Sequence, residues 1–328
     1  MILGRMVGGA RRVVVTGGAG FIGSHLVDRL LGDNPDIEVT VLDNLWRGRR
    51  EHLLRHAKDA RLRLLEQDVR DRDGLEVALR GADLVYHLAA QPTVMGAADD
   101  ASYTFDTNVG GTFNVLRAAA LNNVQRVVFA SSRQVYGEPI NLPVDEEAPL
   151  MAINLYGASK LSGEALCRAY RRETGLSAVV LRLANVYGPR DTGRVIPLWL
   201  DQAKAGQDLV VYGGKQVLDF VWVGHAVSAL ERAGAALGPL PPINIGSGTG
   251  TKLVDLARRL GRLVGGRAHL LLRPARPAEV TRYIAKIERM RDLLQLEPAL
   301  DPLGHLSALL HPSLVAAEDL SPVGSAPG

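Results

Sequence analysis

The stretch VVVTGGAGFIGSHL at residues 13–26 sets four glycines within seven positions, directly after a β-branched run and directly before a helical pattern. Strand, bare turn and helix in that order are the context of a dinucleotide-binding turn. Glycines permit the tight bend, let backbone N–H groups approach a pyrophosphate and let the helix pack closely on the sheet, with its N-terminus facing the anion. The letters fit two spacings, Gly18-x-Gly20-x-x-Gly23 and Gly17-x-x-Gly20-x-x-Gly23, and the residues alone leave both open. A plain structural bend is the competing reading. Against it, VTVLDN ends a second β-run on Asp43, 20 residues after Gly23, near the spacing of an acid that accepts from adenosine ribose hydroxyls. A carboxylate there repels a 2′-phosphate, so the expected cofactor is NAD rather than NADP; Arg47 and Arg49 nearby stand against that preference.

Short apolar runs at 12–16, 38–42, 62–67, 84–88, 127–131 and 178–183 alternate with helical patterns at 25–31, 75–79, 108–122 and 154–174. Strands separated by crossover-length helices predict an α/β fold with a Rossmann-type doubly wound parallel sheet, whose ligands sit at the carboxyl ends of the strands. After about residue 185 the regularity loosens through NVYGPRDTGRVIP and a Gly/Pro-rich strip at 234–242, with one late helical stretch at 252–264. The expected division is a cofactor-binding domain over 12–184 and a smaller C-terminal substrate-binding domain over 185–315. Residues 1–11 and 316–328, rich in Gly, Pro and Ala with little apolar periodicity, are expected to be disordered.

With 328 residues, 47% of them apolar, the chain can bury a sizeable core. Its apolar runs are far too short to span a bilayer, and its first 12 residues lack a signal peptide's apolar segment. One cysteine, Cys167, excludes an intrachain disulfide and reads as packing, and no Cys/His cluster has metal-like spacing. A soluble, cytoplasmic protein without metal is expected. The net charge of +3 is spread along the chain, and the densest basic patch, residues 47–63, is interleaved with acids and has no aromatics. It reads as an exposed helix near a cofactor phosphate, with no nucleic-acid site.

NLYGASKLSGEAL places Tyr156 and Lys160 four apart on a helical pattern, hence on one face. A phenol is a poor base near neutral pH, but a fixed ammonium beside it favours the phenolate, making proton removal from a sugar or alcohol hydroxyl feasible. VVFASSRQVYGEP ends a β-run on Ser131 and Ser132, where a hydroxyl could share a proton with the phenol; a turn cap is the plainer reading of those serines.

Together these residues resemble the extended short-chain dehydrogenase/reductase family, in particular its nucleotide-sugar epimerases and dehydratases. TGGAGFIG, LDN, QDVRD, YHLAAQ, TNVGGT, SSRQVYG, YGASK, LRLANVYGP, DFVWV and RPAEVTR carry the resemblance from about residue 13 to 303. It implies that the turn is read as Gly17, Gly20 and Gly23, with Gly18 in a permissive position. It further implies cofactor contacts from Phe21, Ile22, Asp43 and Asn44, an adenine bracketed by Asp68 and Val69, and a nicotinamide half lined by Leu88, Ala89, Ala90 and Asn108. Ser132, Tyr156 and Lys160 are implied as catalytic, and Gln91, Thr93, Ser132, Arg133, Asn185, Val195, Tyr212 and Arg276 as facing the sugar nucleotide. A homodimer through residues 108–122 and 154–174 is implied as well.

The departures narrow the chemistry. Dehydratases of the family carry Asp-Glu after the catalytic hydroxyl residue and glucuronate decarboxylases a Glu at the second of those positions, whereas this chain has Arg133 and Gln134, neither competent as an acid or base there. Leu218 stands where an Arg is usual, His225 where an Asp is usual and reads as structural, and residues 92–103 are an atypical substrate loop. The expected reaction is 4-epimerisation of a nucleotide sugar, UDP favoured, of glucose or glucuronate type, with Arg133 meeting a sugar carboxylate in the latter case. A sugar-nucleotide reductase, an atypical dehydratase or a non-catalytic dinucleotide sensor are the alternatives.

Overall fold

The computed structural model describes residues 11–266, 269–275 and 280–310. The expectations of disorder at 1–11 and 316–328 fall outside these apart from Arg11, and so does Arg276. In chain order the first half builds β1 (Arg12–Thr16), α1 (Phe21–Asp33), β2 (Glu38–Asp43), β3 (Leu62–Glu66), α2 (Arg72–Ala78), β4 (Leu84–His87), α3 (Val94–Asp99), α4 (Ala101–Thr104), α5 (Gly111–Leu121), β5 (Arg126–Ser132), α6 (Leu155–Thr174) and β6 (Ser177–Leu183). The second half adds β7 (Asn185–Tyr187), α7 (Val195–Lys204), β8 (Leu209–Tyr212), β9 (Val217–Trp222), α8 (Val223–Ala235), β10 (Ile243–Ile245), β11 (Gly250–Lys252), α9 (Leu253–Leu263), β12 (Leu270–Arg273), β13 (Arg282–Tyr283) and α10 (Glu288–Leu294).

Seven strands form one sheet in the order β10-β6-β5-β4-β1-β2-β3, every pairing parallel. Helices cover both faces of such a sheet, so its central strands read as continuous apolar runs: all of β4 and all of β5 are buried. The chain winds outward from β1 through β2 to β3, then returns to β4 beside β1 and winds the other way. That reversal opens a crevice at the carboxyl ends of β1 and β4, the place where doubly wound sheets bind ligands. β10 returns from the second half to the edge of this sheet. The rest of that half makes two small sheets, β11-β9-β13 with β7 beside β9, and β12-β8.

Two local expectations change. Residues 47–63 form no long helix: a single 3-10 segment, Arg50–His56, gives way to β3, and Leu53 is its only buried residue. With no second buried position a turn away, there is no stripe for a longer helix to pack. The helix expected over 108–122 begins with a π-helical stretch, Phe105–Gly110, before α5. Its widened turn lets Asn108 bridge to the chain after β4, where Oδ1 accepts from Gln91 N at 2.7 Å and Nδ2 donates to Gln91 O at 3.1 Å and to Ser159 Oγ at 2.9 Å. Cys167, on α6, is buried in the core. Among the described residues no helix is long and apolar enough to cross a membrane, and no His/Cys/Asp/Glu group is arranged to hold a metal.

Candidate active site

The crevice is a cavity of about 610 Å³, within the size range of small-molecule sites. At one end lies the glycine turn. Gly17 has φ +70°, and a Cβ there would stand 2.7 Å from Ala89 N, so the loops after β1 and β4 press together as only glycine allows. A Cβ on Gly23 would meet Gly17 O at 2.2 Å. Gly18 is less permissive than expected, since a Cβ would lie 2.9 Å from both Val41 methyls. α1 is entered from Gly20 as its N-cap, with no side-chain cap and no acid in its first turn, which leaves its first N–H groups for an anion. Asp43 closes this end: Oδ2 accepts from Ala19 N at 3.0 Å and Oδ1 from Leu45 N at 2.9 Å. Burial raises its pKa, and these two N–H groups oppose the rise. A bare cradle, an open helix N-terminus and an adjacent carboxylate fit a diphosphate joined to a ribose.

Further along, α6 is capped by Asn154, whose Oδ1 accepts from Gly157 N at 2.8 Å. This sets Tyr156 in the first turn and Lys160 one turn on, and both line the cavity with Ser132 at the end of β5. Burial raises the Tyr156 pKa, while the Arg194 charge, the Ser132 hydrogen bond and the Arg133 charge lower it. Lys160 donates from Nζ to Ala130 O at 2.9 Å, and burial pulls its pKa down to about 8. The two serines separate in role. Ser131 Oγ donates to Glu164 Oε1 at 2.5 Å, and Glu164 is forked onto buried Arg182; Ser132 Oγ accepts from Gln134 N at 3.2 Å beside the phenol.

Of the residues expected at the site, Gly17, Gly20, Phe21, Ile22, Asp43, Asn44, Val69, Leu88, Ala89, Ala90, Thr93, Ser132, Tyr156, Lys160, Asn185 and Val195 line this one cavity. Others stand behind its wall. Asp68 is taken up by Arg70 at 2.9 and 2.8 Å and by Asn44 at 2.8 Å. Asn108 braces the chain at Gln91, itself 2% exposed and off the wall. Arg133 is 6% exposed and directs Nε to Asn185 Oδ1 at 3.3 Å, under the Tyr283 ring. Tyr212 lies on β8, outside the lining. His225 is buried in α8 away from the cavity, its pKa pulled down to about 4 by burial.

Sequence reasoning missed Trp46, Tyr103, Arg190, Asp191 and Arg194, all of which line the cavity. The concentration of charge in GPRDTGR, between a strand and a helix, was the available signal. Arg190 donates to buried Asp28 at 2.7 Å and Arg194 to Asp191 at 2.8 Å, with the Arg194 guanidinium 5.4 Å over Phe21. Burial pushes Asp191 up to about 6, against the pull of Arg194.

Comparison with known proteins agrees with this geometry. Residues 13–246 match the NAD dependent epimerase/dehydratase family. A putative UDP-glucose 4-epimerase of Methanocaldococcus jannaschii is 35% identical over 288 residues, 86% of this chain and 92% of that protein. UDP-glucuronic acid decarboxylase 4 of Arabidopsis thaliana is 34% identical over 88% of this chain and 65% of its own length. The structure of UDP-glucuronic acid 4-epimerase from Bacillus cereus, in complex with UDP-glucuronic acid and NAD, superimposes with a TM-score of 0.85 at 27% identity, covering 90% of this chain and 97% of that one. A glycine cradle at the sheet reversal, a tyrosine and lysine one turn apart and a match over most of the chain lead to one conclusion: the chain belongs to the NAD dependent epimerase/dehydratase family, with NAD as its cofactor.

Proposed function

We propose that this chain epimerises carbon 4 of a UDP-hexose of glucose or glucuronate type. The observation that carries the reading is the convergence of Ser132, Tyr156 and Lys160 on the wall of the cavity that also holds the glycine cradle. Gly17, Gly20, Phe21 and Ile22 hold the pyrophosphate, Asp43 and Val69 the adenosine end, and Leu88, Ala89 and Ala90 the nicotinamide end. Bound there, NAD would supply reversible hydride transfer at carbon 4. Tyr156 takes the proton of the 4-hydroxyl, Ser132 holds the same oxygen, and the Lys160 charge favours the phenolate. The resulting 4-keto sugar turns over in the cavity before Tyr156 gives the proton back. Asn185, Val195 and the segment 190–194 face the sugar nucleotide.

The positions after Ser132 support epimerisation over elimination or decarboxylation. Arg133 is turned onto Asn185, and Gln134, an amide on the cavity wall, accepts from Asn154 Nδ2 at 3.1 Å; neither transfers a proton near neutral pH. The test is to offer UDP-glucose and UDP-glucuronate separately, without added NAD, and to follow carbon 4 by NMR. The expected result is interconversion with the galacto epimer of at least one. Release of carbon dioxide from UDP-glucuronate, or inertness toward both, overturns it. We further propose a cytoplasmic homodimer joined through α5 and α6, whose exposed Phe113, Leu121 and Leu155 are apolar.

A further inference from the structure

The mouth of the cavity carries a stack of side chains with no part in the chemistry above. Arg47 lies 5.4 Å over the Trp46 ring, Trp46 meets Tyr103 at 4.8 Å with the planes tilted by 43°, and Arg70 lies 4.8 Å over Tyr103. The four come from three segments: the loop after β2, the turn after β3, and α4. Trp46 and Tyr103 both line the cavity. Trp46 is also 52% exposed, whereas Trp199 and Trp222 are 4% and 2% exposed. A ring of that size standing half in water is held by its neighbours and not by burial. Asn44 anchors the stack from below, donating from Nδ2 to Tyr103 Oη at 3.3 Å and to Asp68 Oδ2 at 2.8 Å, while Arg70 grips the same Asp68. Asn44 follows Asp43 directly and Val69 lies between Asp68 and Arg70, so the stack stands over the end of the cavity that those two residues line.

We propose that Trp46 and Tyr103 form a clasp across the adenosine end of the cavity, joining the loop after β2 to α4 over the bound dinucleotide and slowing its release. The inference rests on the assignment of Asp43 and Val69 to that end. The two segments must part for an adenosine to leave, and parting breaks the ring–ring contact while the Arg47 and Arg70 contacts stay with their own rings. The clasp therefore slows exchange of the bound cofactor, and the rate of release reads it directly. A clasp of this kind suits a reaction that returns hydride to the molecule it came from, because the cofactor has to remain through the turnover of the sugar.

The test uses the full chain loaded with NAD and mixed with excess 1,N6-etheno-NAD, following displacement by fluorescence in the wild type, Trp46→Ala, Trp46→Phe and Tyr103→Phe. Trp46→Ala is expected to release NAD about tenfold faster, and Trp46→Phe to recover most of the difference. Tyr103→Phe, which keeps the ring and loses the Asn44 bond, is expected to fall between. In the unaltered protein, acrylamide quenching reports the exposed Trp46, and NAD loading is expected to reduce it. Release from Trp46→Ala within twofold of the wild type, or quenching unaffected by NAD, overturns the clasp. Both readouts are independent of UDP-sugar interconversion, so they separate failure of the clasp from failure of the epimerase reading.

Discussion

At the dinucleotide end of the cavity, shape comes from backbone: Gly17 against Ala89, Gly23 against Gly17, and an uncapped helix start. Along residues 185–194, the end proposed for the sugar, it comes from charged and amide side chains held on one another, Arg190 on Asp28, Arg194 on Asp191 and Arg133 on Asn185. At the first end the Asp43 carboxylate is paired with main-chain N–H groups. At the second, Arg133 Nη1, Arg190 Nη1 and Asp191 Oδ2 are buried with no hydrogen-bond partner among the described residues. A backbone cradle is fixed by sterics and serves any ribose-linked diphosphate, so it goes with the fold. A wall of side chains can be exchanged without disturbing the sheet, which is how one cradle comes to serve epimerases, dehydratases and decarboxylases.

Tyr156→Phe gives the largest effect and sharpens the contrast by acting on one side of it. Removing the proton acceptor is expected to lower epimerisation about 10³–10⁴-fold while NAD bound per chain, measured after denaturing release, stays at the wild-type value. Gly23→Ala attacks the other side. Its Cβ would stand 2.2 Å from Gly17 O and 2.8 Å from Gly18 Cα, both backbone atoms that cannot swing aside. About 100-fold weaker NAD binding by calorimetry is expected, with a loss of about 1–3 kcal/mol in stability. Undiminished NAD affinity would break the claim that backbone shapes this end.

The same contrast explains what could be read from sequence. β1 is found at 12–16 as expected, and the other five expected strands lie within a residue at each end, because strands covered on both faces are written as unbroken apolar runs. The glycine turn was legible because its function is a backbone shape and only one residue type makes that shape. The resemblance implies cofactor or substrate contacts from Asp68, Gln91 and Asn108, which lie outside the residues lining the cavity. Spacing locates a residue on a loop but does not tell which way the loop presents it, and neighbours such as Gln67 and Val69 line the cavity where Asp68 turns to Arg70. The π-helical turn is not legible because FDTNVG is made of weak helix formers, which does not separate one helix type from another; the widened turn goes with the long-range bridge from Asn108 to Gln91. Arg190, Asp191 and Arg194 sit in a loop with no periodicity at all, so only their density of charge marked them.

Asp191→Asn tests what a buried charge in the side-chain wall costs in stability. Asp191 has its folded pKa raised from 3.8 to about 6, chiefly by burial. A carboxyl raised in this way holds its proton more tightly when folded, so its contribution to stability falls as the pH rises from about 4 to 6 and stays low above that. The amide removes the penalty. At pH 7.5 the variant is expected to be about 2–3 kcal/mol more stable by denaturant unfolding, the rise to about 6 already including the opposing pull of Arg194, with the difference vanishing near pH 4. Equal stabilities at pH 7.5 would mean that the buried carboxylate is compensated and the wall is as relaxed as the cradle.

The smallest effect is read from the pH profile of turnover, where the two ends meet at Lys160. Its ammonium is held on a main-chain carbonyl, Ala130 O, and buried to 4% exposure, and that burial brings its pKa down from 10.5 to about 8. On the role proposed for Lys160, a charge that supports the Tyr156 phenolate is present below pH 8 and lost above it, so kcat is expected to decline on the alkaline side, reaching about a tenth of its plateau at pH 9. Lys160→Arg keeps a positive group whose deprotonation lies far outside this range; its plateau is lower because a fork replaces a point charge, but its alkaline limb near pH 8 is expected to disappear. A limb that stays at pH 8 in Lys160→Arg assigns the titration to another group and leaves the lysine with a positioning role alone. A limb that moves ties the chemistry of the side-chain wall to a charge set by where the β5 backbone places its carbonyl.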